Sequence, residues 1–202
     1  NLGLDKSMSE NVFTSGEAAL DYLKKNYIGQ KFYHIGPPRD FDLFNDFKNK
    51  KTEDLDKSDY LLCTGLYDQH DQDLNYYKEL LKNFTSKKMV CTNPDLIVNK
   101  GKKREYCAGS VAMIFEKIGG EVIYFGKPYP EVYNQAIKSN KKKVIAIGDN
   151  LRTDIKGANN MNYDSLIITS GVHNEEFEKE DIEKVLKNYN AKATFSQSML
   201  KW

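Results

Sequence analysis

Short apolar runs alternate with segments of helical periodicity along almost the whole chain. Lys31–Ile35 reads as a strand that stops at Gly36-Pro37-Pro38, Tyr60–Cys63 as a second, and Lys88–Thr92 as a third, closed by Asn93-Pro94. Between them the spacing of apolar positions predicts a short amphipathic helix over Asp40–Phe47 and a longer one over Asp73–Phe84. Thr14 and Glu17 have capping-box spacing and open an earlier helix through Asp21–Asn26. Ala108–Ile118 carries the 3.6-residue period and ends at Gly119-Gly120. The rhythm then continues with strand Glu121–Phe125, helix Pro130–Ser139, strand Lys143–Ile147, helix Thr153–Met161 and strand Leu166–Thr169. A helix over Glu175–Asn188 and an extended piece near Ala193–Phe195 finish the chain. Strands separated by helices of this length need crossover connections, so the expected class is α/β with a mostly parallel sheet.

Composition narrows the field of functions. With 202 residues, 40% hydrophobic and 29% charged, the chain can bury one large core or two small ones. A net charge of +1 supplies no field for nucleic acid or an anionic membrane surface. No apolar stretch is long enough for a membrane span, and the first residues are neither basic nor apolar as a signal peptide would be. Cys63, Cys91 and Cys107 are odd in number and widely spaced, which fits reduced thiols in a cytoplasmic protein. His34, His70 and His173 lack metal-ligand spacing, and neither a dinucleotide fingerprint nor a P-loop is present.

Two segments carry candidate chemistry. The apolar run Val144–Ile147 ends in Gly148-Asp149-Asn150, and a second carboxylate, Asp154, follows five residues after Asp149. Ligands of open α/β sheets sit at the carboxyl ends of strands, where two carboxylates suit a hard cation such as Mg2+. The same residues also read as a turn followed by an acid that favours a helix N-terminus. Upstream, Gly126-Lys127-Pro128 directly follows a strand and precedes a helix. A lysine so placed is aimed either at an anionic ligand or at solvent.

Taken together, Gly126-Lys127-Pro128-Tyr129-Pro130-Glu131-Val132-Tyr133 and Gly148-Asp149-Asn150-Leu151-Arg152-Thr153-Asp154-Ile155 resemble the third and fourth motifs of the haloacid dehalogenase superfamily. The nearest branch is class IIA, the nitrophenylphosphatase, pyridoxal-phosphatase and sugar-phosphatase group. Thr14–Ala19, Thr92-Asn93-Pro94-Asp95 and Thr169-Ser170-Gly171-Val172 resemble it in the same order, so the likeness spans essentially all 202 residues. The resemblance implies a Rossmann-like parallel core with an inserted α/β cap: residues 1–15 end a first core segment, 16–118 form the cap, and 119–202 form the rest of the core. It implies hydrolysis of a small phosphorylated metabolite through an aspartyl-phosphate, with Mg2+ as cofactor. Lys127 would neutralise the phosphoryl group, Asp149 would bind the metal, and Asp154 would order the metal's water or the lysine. Asn150 would support the site, while Asn93 and Asp95 would either meet the substrate from the cap or simply form a turn. Apolar cap surface would face substrate or an identical subunit.

Two departures stand out. Asn162 occupies a position where the family usually has glycine, a mild change because asparagine tolerates left-handed backbone. The family's DxDG-type nucleophile motif and its Ser/Thr motif do not occur in the sequence. The C-terminal strands are therefore expected to lack a central neighbour and the chain alone to be inactive. The rival reading is a non-catalytic remnant that binds a phosphorylated ligand or a protein partner.

Overall fold

The computed structural model describes residues 12–100, 103–137 and 143–201. The chain divides into two compact units, one ending at Gly126 and the other beginning at Lys127.

The first unit is built on a five-stranded, all-parallel sheet. Helix α1 (Ser15–Asn26) leads into β1 (Phe32–Ile35), a 3₁₀ stretch (Pro38–Lys50) and the two-residue β2 (Lys51–Thr52). Then come β3 (Tyr60–Cys63), a 3₁₀ turn (Asp68–His70), α2 (Leu74–Leu81) and β4 (Lys88–Cys91). An antiparallel hairpin, β5 (Ile97–Lys100) with β6 (Lys103–Tyr106), precedes α3 (Ala108–Lys117) and β7 (Glu121–Tyr124). The strand order is β2-β1-β3-β4-β7. The winding runs outward in both directions from β1 and β3, as in doubly wound folds. All four residues of β3 are buried, as a central parallel strand covered on both faces requires. Around it Leu61, Tyr77, Leu81, Met89, Val111 and Phe115 form the main core.

The second unit holds α4 (Pro130–Ala136), β8 (Ile145–Gly148), a widened π turn (Leu151–Ile155) and α5 (Lys156–Met161). It continues through β9 (Asp164–Ile168), α6 (Asn174–Lys179), α7 (Ile182–Asn188) and β10 (Phe195–Gln197). Its parallel sheet has the order β10-β9-β8. One face packs Ile167 on Leu151, Ile155, Val185 and Ala191. On the other face, Ile147, Leu166 and Phe195 are in register; Ile147 is 40% exposed and Phe195 55%. Among the described residues β8 pairs on one side alone.

Most expected elements form, and the α/β class with parallel sheets is the observed one. Three local differences have physical causes. Glu121–Phe125, expected among the C-terminal strands, instead pairs residue for residue with β4, because α3 packs on both β4 and β7 and returns the chain beside its starting strand. Asp40–Phe47 lies in a 3₁₀ stretch instead of an α-helix. Phe41, Phe44 and Phe47 repeat every three residues, which aligns them on a three-per-turn helix, with Phe44 and Phe47 buried. The helix expected over Glu175–Asn188 breaks at Glu180, and Asp181 starts a new helix by accepting the Glu183 N–H at 2.8 Å. The hairpin β5–β6 was not foreseen. The end of the expected Pro130–Ser139 helix lies outside the described residues.

Candidate functional site

The second unit brings together the segment after Gly126 and the turn after β8. The Lys127 ammonium is ion-paired with Asp154 Oδ1, and the Asn150 N–H donates to Asp154 Oδ2 at 3.1 Å. Asp154 is buried while the Lys127 side chain remains half exposed. The π turn makes this possible. The Asn150 carbonyl accepts from both the Asp154 N–H, at 2.9 Å, and the Ile155 N–H, at 3.2 Å. This widening swings the Asp154 carboxylate back toward the end of β8. Gly148 leaves the room: a Cβ there would lie 2.2 Å from the Asp154 carboxyl carbon. Asn150 closes the turn by accepting the Arg152 N–H on its side-chain oxygen at 2.9 Å.

Asp149 is held from the opposite side. The Val172 N–H donates to Asp149 Oδ2 at 3.1 Å, and a Cβ on Gly171 would lie 2.1 Å from that same oxygen. Among the described residues Asp149 Oδ1 has no hydrogen-bond partner. Two contacts tie the Lys127 segment to α5. Asn160 Nδ2 donates to the Pro128 carbonyl at 3.0 Å, and Tyr133 lies against Gly157, where a Cβ would meet its hydroxyl oxygen at 2.0 Å. Burial, reinforced by the Asp154 carboxylate, pushes the Tyr133 phenol up to about 12, so it stays neutral.

Of the residues singled out in the sequence, Lys127, Asp149, Asn150 and Asp154 share this cluster. Both oxygens of Asp154 are taken, one by Lys127 and one by the Asn150 amide. Asn93 and Asp95 lie in the first unit, just beyond β4. There Asn93 Oδ1 accepts the Asp95 N–H at 3.0 Å, a side-chain turn of the kind asparagine favours. A separate cleft of about 540 Å3 opens past the carboxyl ends of β1 and β3, lined by Tyr33, Phe41, Tyr67, His70 and Tyr76 among others. Its charged lining groups Lys51 and Asp68 are paired with Glu53 and Arg39. The structural parts of the site that sequence reasoning missed are Gly171, the Val172 amide and Tyr133. Thr169-Ser170-Gly171-Val172 and the motif tyrosine were visible, but nothing in their residue types told which atom would meet which carboxylate.

The donor chemistry fits a hard divalent cation. Asp149 presents an open carboxylate oxygen, and its cradle at Gly171 admits no Cβ. Among the described residues no group of three or more His, Cys, Asp or Glu side chains gathers. The protein thus offers a partial oxygen shell, as Mg2+ accepts when it keeps several waters.

A parallel α/β unit with lysine and paired carboxylates at a strand end defines the class as a haloacid-dehalogenase-like hydrolase fold. The family described as HAD-hydrolase-like matches residues 124–193. The chain is 31% identical to a haloacid-dehalogenase-like hydrolase from Brucella suis 1330, with a TM-score of 0.69 over 80% of this chain and 65% of that one. It is 25% identical to a thermostable p-nitrophenylphosphatase double mutant from Geobacillus stearothermophilus, with a TM-score of 0.66 over 92% of this chain and 70% of that one. It is also 25% identical over 164 residues to the ribonucleotide monophosphatase NagD of Escherichia coli K12, covering 79% of this chain. The chain spans 62% of the length of that relative. Motifs, fold and relatives agree in their likeness to the haloacid dehalogenase superfamily, and the relatives named as phosphatases place the resemblance in its class IIA branch.

Proposed function

We propose that this chain acts in a Mg2+-dependent phosphomonoester hydrolase that works through an aspartyl-phosphate in the cytoplasm. The observation that carries the reading is the Lys127–Asp154 ion pair, braced by the Asn150 amide beside the open oxygen of Asp149. The phosphatase names of its relatives support the same reaction class. Residues 16–118 would be the inserted α/β cap domain, with the substrate a small phosphorylated metabolite.

Asp149 would hold the cation, which when bound neutralises charge on the phosphoryl oxygens. Lys127, kept in place by Asp154, sets its ammonium beside the same oxygens and stabilises charge that grows during transfer. Asp154 acts through Lys127, and Asn150 keeps Asp154 pointed inward. On this reading Asn93 and Asp95 would belong to the cap loop that binds substrate, or serve only as its turn. The three free thiols, of which Cys63 and Cys91 are buried, suit a reducing cytoplasm.

The test is phosphate release from p-nitrophenyl phosphate with Mg2+. The expected result is no turnover by the 202 residues alone, and turnover by a chain extended upstream with a DxDG-type segment. Asp149→Ala in the extended chain should abolish Mg2+-dependent turnover and leave the fold intact. Full activity in that variant would overturn the assignment. An extended chain that binds phosphate without releasing it would favour the binding-only alternative.

A further inference from the structure

The Asp149 cradle does not stand alone. Val172, whose amide holds the carboxylate, is followed by His173, which is 6% exposed although it lies on a loop. His173 Nδ1 lies 2.9 Å from Glu176 Oε1. A carboxylate at ordinary pH only accepts, so Nδ1 carries the proton in this pair. The same Glu176 oxygen accepts from the Tyr189 hydroxyl at 2.7 Å. These two donors hold the Glu176 carboxyl below its usual range. The His173 and Tyr189 rings pack edge to face with centroids 4.7 Å apart, and the Arg152 guanidinium stands 5.1 Å from the Tyr189 ring centroid. Arg152 belongs to the π turn and donates its backbone N–H to Asn150.

The contacts therefore close a ring from Asp149 through Val172, His173, Glu176, Tyr189 and Arg152 back to Asn150. Two loops that carry the charged groups are locked to each other, and Glu176 is the shared acceptor. We propose that His173 and Glu176 are positioning residues that hold the Gly171-Val172 backbone under Asp149 and thereby set the cation affinity of the site. The inference rests on the metal role given to Asp149 above. Groups behind a metal ligand typically change affinity about 10- to 100-fold when removed.

The experiment measures Mn2+ uptake by the 202-residue chain, by electron paramagnetic resonance of the free ion, together with hydrogen exchange of the Val172 amide. Glu176→Ala should weaken Mn2+ binding about tenfold and speed Val172 exchange, and His173→Ala should do the same. Glu176→Gln keeps an acceptor oxygen for both donors and should restore most of the affinity. Ser165→Ala, a buried substitution near the start of β9 that breaks its bonds to Lys192 and Thr194, should lower stability and leave Mn2+ affinity unchanged. Uptake lost in Asp149→Asn but unchanged in Glu176→Ala would overturn the positioning role alone. An equal loss of affinity in Ser165→Ala would also overturn it, since general loosening would then suffice. Uptake unaffected by Asp149→Asn, or no saturable uptake by the unsubstituted chain, would overturn the metal reading and the positioning role with it.

Discussion

Burial at the end of β1 takes the His34 imidazole down to about 4, and the nearby Lys51 cation adds to the shift. His34 Nε2 lies 2.8 Å from the Thr64 hydroxyl, so the ring is matched to a neutral partner. An unfolded chain takes up this proton near pH 6.5, whereas the folded one resists until about pH 4. Stability is therefore undiminished above pH 6.5 and is lost as pH falls between those values, by about 2 kcal/mol at pH 5. Urea unfolding at pH 7 and pH 5 should show this loss, and His34→Gln should remove most of it. A variant with the unsubstituted pH slope would refute the cause. Nothing in the residue type separates this buried histidine from the stacked His70. Asn162 is the opposite case. Asparagine where the family usually has glycine was enough to expect left-handed backbone, and its φ is 55°. For Asp154 the sequence left its contacts open, and in the fold its two oxygens meet the Lys127 ammonium and the Asn150 amide.

At the scale of elements, local signals were legible wherever the chain itself satisfies its backbone groups. The Thr14 hydroxyl accepts the Glu17 N–H at 3.1 Å, and Glu17 accepts the Thr14 N–H at 2.8 Å, the reciprocal cap expected from spacing. Thr14→Ala should cost about 1 kcal/mol in chemical denaturation, since one α1 amide loses its acceptor. A change within experimental error would mean that packing of α1 makes the cap redundant. Elements whose form depends on contacts elsewhere were harder to read. The hairpin β5–β6 is short, and Lys103-Arg104-Glu105-Tyr106 shows no alternation of apolar residues. The π turn escapes periodicity altogether, because the wider turn at Leu151–Ile155 leaves no mark in the spacing of apolar residues.

At the scale of the whole molecule, each of the two units divided at Gly126 packs a core of its own. Phe115 lies fully buried in the first core, and Ile155 and Ile167 lie in the second. Phe115→Ala should cost about 3–5 kcal/mol, read as faster amide exchange through β3 and β4. Protection at Ile155 and Ile167 should hold; simultaneous loss would show that the units unfold as one. The sequence by itself determined the α/β class, the strand-to-helix placement of Lys127, Asp149 and Asp154, the α1 cap and the left-handed Asn162. Each is local: apolar periodicity, hydrogen bonding within a turn, or allowed backbone angles settle it. Only the tertiary structure decided that β7 joins β4, that Asp154 spends both oxygens on Lys127 and Asn150, and that Val172 and the His173–Glu176 pair stand behind Asp149. Those outcomes depend on which atoms meet across tens of residues, where strand pairing and buried charge compensation choose among partners that the chain presents equally.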